Sequence, residues 1–263
     1  MTSSFVLPAL LGMLALPAMA QGPDAGAPST SLTPQEVAAI AIHDAIAPAV
    51  VQVDVRGTAA PRKLASFADV DKLFAGNPAA SPPPTRHVGT GLAWDDAGHV
   101  VTTHAAVAVT DATITVTLAD GSRRAARLIG DDPALDVAVL QVEGSPGTLH
   151  PLPLATGPGP RPGHRVFAIG NPYGRGPLFI AGMVSAVDHT QEPGDPPRLL
   201  LAIVTSPGDA GGPVVDTSGR LVGILRGQRG RPAPGVGIAA PVAELARVVP
   251  RLIAGGHVDA PAH

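Results

Sequence analysis

Three short stretches of this chain hold the residue types that nucleophilic acyl transfer needs close together. One is a glycine-rich loop, Gly208-Asp209-Ala210-Gly211-Gly212-Pro213; another is Asp132-Pro133-Ala134-Leu135-Asp136; the third is Thr103-His104-Ala105. A carboxylate can orient an imidazole, and an imidazole can take a proton, but the chemistry also needs a hydroxyl or thiol to attack. The glycine-rich loop has alanine at its centre. The nearest hydroxyls, Thr205 and Ser206, lie several residues upstream, and the chain contains no cysteine. Each stretch also has an ordinary structural reading. An aspartate can simply bond turn amides, a glycine cluster can simply turn the chain, and a lone histidine can be a polar residue near a cleft. The remaining histidines show no H-x-x-x-H or H-E-x-x-H spacing, so neither a metal site nor a cofactor is expected.

The elements that must carry these stretches are legible in the composition. The chain has 263 residues, 45% of them hydrophobic and 15% charged, which suffices for one or two domains with a substantial core. Aromatic residues make up only 3%, so Val, Ile, Leu and Ala must fill that core. A net charge of −3 gives no electrostatic case for nucleic acid or an anionic membrane. With no cysteine there is no disulfide, no Cys-ligated zinc and no lipidated cysteine. The 31 glycines and 30 prolines suit many short strands joined by turns.

Residues 1–20 read as a secretory signal peptide. An apolar run from Phe5 to Leu16 precedes Ala18-Met19-Ala20, an A-x-A cleavage site. Export to the periplasm or beyond follows, with a mature start at Gln21 and no membrane span after cleavage. Residues 21–42 combine a small, polar linker with the start of a helix. Thr33-Pro34-Gln35-Glu36 is a capping-box pattern, and the helix should run to about Ile46. Ala49 to Arg56 alternates as a half-buried strand does. Residues 57–86, with five prolines, read as a long loop holding an amphipathic turn at Phe67 to Phe74. Strands and turns then follow closely, with a hairpin at Asp120-Gly121 and RLLLAIV as a strand up to Val204. A final helix over 241–254 carries Val242, Leu245, Val248 or Val249 and Leu252 at helical spacing, with Pro250 expected to kink or interrupt it, and 255–263 is a tail. The pattern is all-β, a sandwich or barrel.

Several segments in order resemble the HtrA (Deg) family of chymotrypsin-like serine proteases. They are HDAIAPAVVQVDVRGT, GTGLAWDDAGHVVTTHAAV, TVTLADGSRRAARLIGDDPALDVAVLQVEG, RPGHRVFAIGNPYGRG with GMVSAV, and TSPGDAGGPVVDTSGRLVGI. The resemblance covers about residues 43–245. It implies two six-stranded β-barrels, one over about 43–146 and one over about 147–240, with a peptide-binding cleft between them. The family's usual C-terminal PDZ domain is not seen before the sequence ends at His263.

The resemblance also implies roles. Asp136 falls on the family aspartate. The family histidine position is occupied by Ala105 when residues are counted without gaps from Gly98. His104, one residue early, reaches it only if a one-residue deletion precedes it. The nucleophile position is Ala210. Gly208, Asp209 and Gly211 belong to the loop that binds an oxyanion and substrate, aiming the N–H groups of Gly208 and residue 210. Asn171-Pro172-Tyr173-Gly174 matches a family loop near the cleft. Arg226, Arg229 and Arg231 sit in the specificity-loop region, where they would favour acidic side chains or a C-terminal carboxylate, or else form a solvated basic loop.

The resulting expectation is an exported pseudoprotease that binds extended or unfolded peptides. Two rivals stand beside it. One is a working serine endopeptidase of periplasmic quality control, of which Ala210 would mark an engineered serine-to-alanine form; a single engineered change would leave the histidine block regular, which it is not. The other is a structural or assembly protein with a vestigial cleft, since family members often form trimers through N-terminal segments.

Overall fold

The computed structural model describes residues 31–59, 84–144, 147–190, 194–227 and 235–256. The leader and most of the linker, the turn at Phe67 to Phe74, Arg229, Arg231 and the tail beyond Gly256 lie outside the described residues. Twelve strands close into two antiparallel barrels of six. In the first, β1 (Val50–Ala59), β2 (Pro84–Ala93), β3 (His99–Thr102), β4 (Val109–Thr117), β5 (Arg123–Asp132) and β6 (Val137–Val142) run in the order β1-β2-β3-β6-β5-β4. In the second, β7 (Arg165–Gly170), β8 (Leu178–His189), β9 (Arg198–Leu201), β10 (Pro213–Val215), β11 (Leu221–Leu225) and β12 (Gly237–Pro241) run in the order β10-β11-β12-β9-β8-β7. Each strand has a neighbour on both sides, so neither barrel has an edge strand, although the long β8 meets β7 and β9 each over only part of its length.

The helices frame the barrels. α1 (Pro34–Ile46) opens with the expected capping box: the Thr33 N–H donates to Glu36 Oε2 at 2.7 Å, and the Glu36 N–H donates back to Thr33 Oγ1 at 3.3 Å. α2 (His104–Val107) is a single turn after β3. α3 (Val242–Ile253) passes through Pro250 without a break. Near the end of a helix proline removes only one ladder bond, and the turn is held by Ala254 and Gly255 N–H groups bonding the Pro250 and Leu252 carbonyls.

Aliphatic side chains do fill the interior. Val53, Val55, Val100, Val116 and Leu140 pack inside the first barrel; Val166, Leu201, Ile203, Val214 and Leu225 pack inside the second. Between them, Leu245, Val248, Val249 and Leu252 of α3 join Leu92, Val101, Leu135, Val139, Leu221 and Ile224 in one cluster. α3 thus ties the two barrels together. α1 lies on the second barrel through Ile42 and Ile46, against Phe167, Ile169 and Val215, where Phe167 stacks on Phe179.

Two elements differ from the sequence reading. The expected loop 57–86 is shorter at both ends, because β1 and β2 pair out to Thr58 opposite Pro84. The pairing is carried by Asp54, 3% exposed, whose carboxylate binds the Arg86 guanidinium across the two strands. Asp54 lies on the face opposite Val53 and Val55, covered by the exposed Arg86 and Arg56 side chains, and a polar contact between residues so far apart in sequence leaves no local pattern to read. The strand expected to reach Val204 ends at Leu201, and Val204 stands 71% exposed where the chain leaves the barrel for the glycine-rich loop.

Candidate functional site

The glycine-rich loop is held between the barrels by its own backbone. Gly208 and Gly211 have φ of 102° and 92°, and a side chain on either would collide with backbone: the added carbon would lie 2.3 Å from the Asn171 oxygen or 1.9 Å from the Thr90 oxygen. Thr90 of β2 ties the loop to the first barrel. Its N–H donates to the Ala210 carbonyl at 3.1 Å, and its hydroxyl donates to the Gly208 carbonyl at 2.7 Å. The Gly211 N–H donates to the Leu225 carbonyl at 2.8 Å. No hydrogen bond is made by the Gly208 or Ala210 N–H among the described residues. Two adjacent amides without acceptors on a rigid turn suit an oxyanion or a peptide carbonyl.

Of the residues expected to line that pocket, Asp209 and Gly211 shape the loop instead, because their polar groups are engaged or buried. The Asp209 side chain is 1% exposed, accepts the Ser206 N–H at 2.6 Å through Oδ2, and leaves Oδ1 without a partner. Desolvation pushes its carboxyl above the ordinary aspartate value, opposed by the Ser206 N–H. Ser206 therefore spends its amide on this turn, and no contact brings its hydroxyl toward Ala210.

Asp136 and the 104–105 segment lie on the other side of the cleft. Asp136 closes the β5–β6 turn with φ of 55°, and its carboxylate accepts two backbone donors, Ala105 N–H at 2.9 Å and Gly227 N–H at 3.2 Å. His104 turns the other way. Its Nδ1 lies 2.6 Å from Asp131 Oδ2, on a half-buried pair that does not include Asp136. One residue along the α2 turn thus separates the two partnerships. Ala105 is exposed beside Asp136, and Ala106 approaches Gly89, the residue before Thr90, near the Ala210 carbonyl. The structure joins Asp136 to Ala105 through the Ala105 amide, sets both Ala106 and the Ala210 carbonyl beside Gly89, and pairs the His104 imidazole with Asp131 rather than Asp136.

Arg226 is the residue that the sequence reading misplaced. It is no solvated arginine. Its Nη2 donates to the Ala134 carbonyl at 3.1 Å across the barrel interface, while Nη1 is buried without a hydrogen bond. Desolvation draws its pKa down, and the charge of Asp136 opposes that shift. The guanidinium thus sits behind Asp136 as a partial counter-charge. Nothing in an R-G-Q-R-G-R run distinguishes this arginine from its neighbours.

The Asn171–Gly174 turn closes the other end of the loop. Asn171, 5% exposed, donates from Nδ2 to Gln52 Oε1 at 2.9 Å across the barrels. The Tyr173 N–H donates to the Pro207 carbonyl at 2.7 Å, leaving its ring 66% exposed beside the cleft. No group of three or more His, Asp or Glu residues able to hold a metal occurs among the described residues. A cavity of about 930 Å³ lies elsewhere, between residues 154–166 and the start of α3, and none of the residues above lines it.

Comparison with known proteins agrees with this geometry. The family described as "trypsin-like peptidase domain" matches residues 89–224. The chain is 33% identical over 182 residues to Protease Do-like 1, chloroplastic, of Arabidopsis thaliana, across 66% of this chain and 41% of that protein. It is 31% identical over 180 residues to the serine endoprotease DegS of Salmonella typhimurium, across 66% of this chain and 50% of that one. The chain therefore spans half or less of these two relatives. A structure of the HtrA-type protease AlgW, as a serine-to-alanine variant with a decapeptide, superposes with a TM-score of 0.68 at 27% identity, over 84% of this chain and 68% of that one. Two closed six-stranded barrels, the matched blocks of sequence and the shared superposition lead to one conclusion: this chain belongs to the trypsin-like peptidase domain family, in its HtrA/Deg branch.

Proposed function

We propose that this protein is an exported pseudoprotease that binds extended or unfolded peptide segments in the cleft between its barrels without hydrolysing them. In this reading Ala210 holds the nucleophile position, Ala105 the base position and Asp136 the position that would orient the base. The observation that carries it is the pairing at Asp136: the carboxylate meets the backbone N–H of Ala105, and the imidazole of the adjacent His104 is bound to Asp131. Removing the serine of such a triad alone costs about a million-fold in turnover. The amides of Gly208 and Ala210 remain to receive a carbonyl, and a bound chain would lie against the rim as an added strand. The solved relative that carries a decapeptide supports peptide binding as the retained property. The A-x-A site at Ala18 to Ala20 supports export to the periplasm or beyond.

The test is a binding titration paired with an activity assay on the mature protein. A fluorescent decapeptide library should show saturable binding, while casein stays intact and a fluorophosphonate probe leaves the protein unlabelled. Turnover blocked by a serine-directed reagent would sink this reading. A second reading, self-assembly, is favoured by the apolar surface at α1, where Leu32 just before the helix and Val37 and Ile40 on it are 57%, 52% and 46% exposed. Light scattering that finds a trimer would support it, and a monomer at high concentration would end it.

A further inference from the structure

Asp136 is a carboxylate with unused capacity at the edge of a cleft. It accepts two backbone donors, from Ala105 and Gly227, and makes no hydrogen bond to a side chain among the described residues. An ionised carboxylate offers about four acceptor sites. Asp136 is part exposed, and Ala105, whose amide reaches it, is exposed and ends at its β-carbon. A left-handed φ of 55° on a non-glycine residue costs on the order of 1 kcal/mol, so the carboxylate is fixed in place by its surroundings. His104, the residue on this turn best able to cover it, is committed to Asp131.

We propose that Asp136, Ala105 and Gly227 form a subsite for the imidazole of a histidine carried by the bound peptide. This deepens the peptide-binding reading above and rests on it for its natural ligand. The chemistry selects a neutral N–H donor. Arg226 lies behind Asp136 and supplies a positive charge that a lysine or arginine of the ligand would face. A neutral imidazole adds a hydrogen bond to the carboxylate without that repulsion. Its flat ring suits a place bounded by one methyl group and two peptide planes.

The test uses the intact mature protein and two probes. The first is free imidazole at about pH 8.5, well above the imidazole range. In amide NMR spectra, imidazole should shift the Ala105 and Gly227 resonances saturably, at about millimolar concentration for so small a ligand. 1-Methylimidazole, which has no N–H, should not, and Ala105→His should abolish the response by placing the ring on the protein. The second probe is a fluorescent decapeptide set with His or Ala at each position. One position should favour His by about tenfold, the worth of one hydrogen bond to a charged group, and Ala105→His should remove that preference. Equal affinities for the His and Ala peptides would overturn the proposal, as would equal responses to imidazole and its methyl derivative. If no peptide binds but imidazole still shifts those two amides selectively, the subsite stands and the peptide-binding reading falls.

Discussion

At the scale of single residues, the site is defined by which polar groups found partners. Asp209 is the clearest case. It is buried at the heart of the glycine-rich loop with one oxygen bonded and one not. Because burial raises its pKa, the folded state holds a proton that the unfolded chain has already released. Stability should therefore fall as pH rises from the ordinary aspartate range through the raised value, and the deficit should be complete above it. Asp209→Asn keeps an acceptor for Ser206 and cannot ionise. It should be more stable than the natural protein at neutral pH by on the order of 1 kcal/mol. The gap should close in acid, below the ordinary aspartate value. Thermal melts of both proteins at neutral and acid pH check this; equal melting temperatures at neutral pH would contradict it. The blocks around Asp136 and Ala210 single these two residues out in the sequence, because their neighbours leave the register no freedom. The one-residue choice between His104 and Ala105 was not legible. A single-turn helix between two strands can shift register at little cost, and only the bonds to Asp131 and Asp136 distinguish the two.

At the scale of elements, most of the barrel was readable because valine-rich alternation and Asp–Gly turns are local signals. The β4–β5 hairpin has its turn at Asp120-Gly121, with Gly121 at φ 83° and Asp120 accepting the Ser122 N–H. The extension of β1 and β2 was not readable, since it depends on a contact between residues 32 positions apart. That contact makes a prediction. The Arg86 guanidinium holds the Asp54 carboxyl below the ordinary aspartate value, with Arg56 adding to it. A depressed carboxyl contributes stability above its unfolded pKa and loses it as pH falls through the folded value. Arg86→Gln should therefore destabilise the protein at neutral pH, modestly because the guanidinium is more than half exposed, and by less in strong acid. Denaturant midpoints of both proteins across that range check the sign. A loss that is the same at every pH would mean the arginine acts through packing alone.

At the scale of the whole molecule, the two barrels are joined by α3 and by a few hydrogen bonds that pass through the site. Leu245 is fully buried in the cluster shared by both barrels. Leu245→Ala should cost about 2–5 kcal/mol and should loosen the cleft as well as the core. Denaturation followed by tryptophan fluorescence would report the loss; a change under 1 kcal/mol, by the same scale, would show that the barrels do not depend on α3. The bonds from Thr90 to the glycine-rich loop and from Gly227 to Asp136 cross the same interface, so scaffold and site stand or fall together. On the proposed reading the scaffold is intact, and two side chains separate it from a working protease. The most direct measurement is peptide hydrolysis and fluorophosphonate labelling by four proteins: natural, Ala210→Ser, Ala105→His, and the double variant. The account predicts that only the double variant hydrolyses and labels, because a base and a nucleophile must both be within about 2.6–3.2 Å of each other. Activity in the natural protein or in Ala210→Ser alone would contradict it by showing that His104 reaches the nucleophile position, and a folded but inert double variant would contradict it by showing that the cleft has lost more than two side chains.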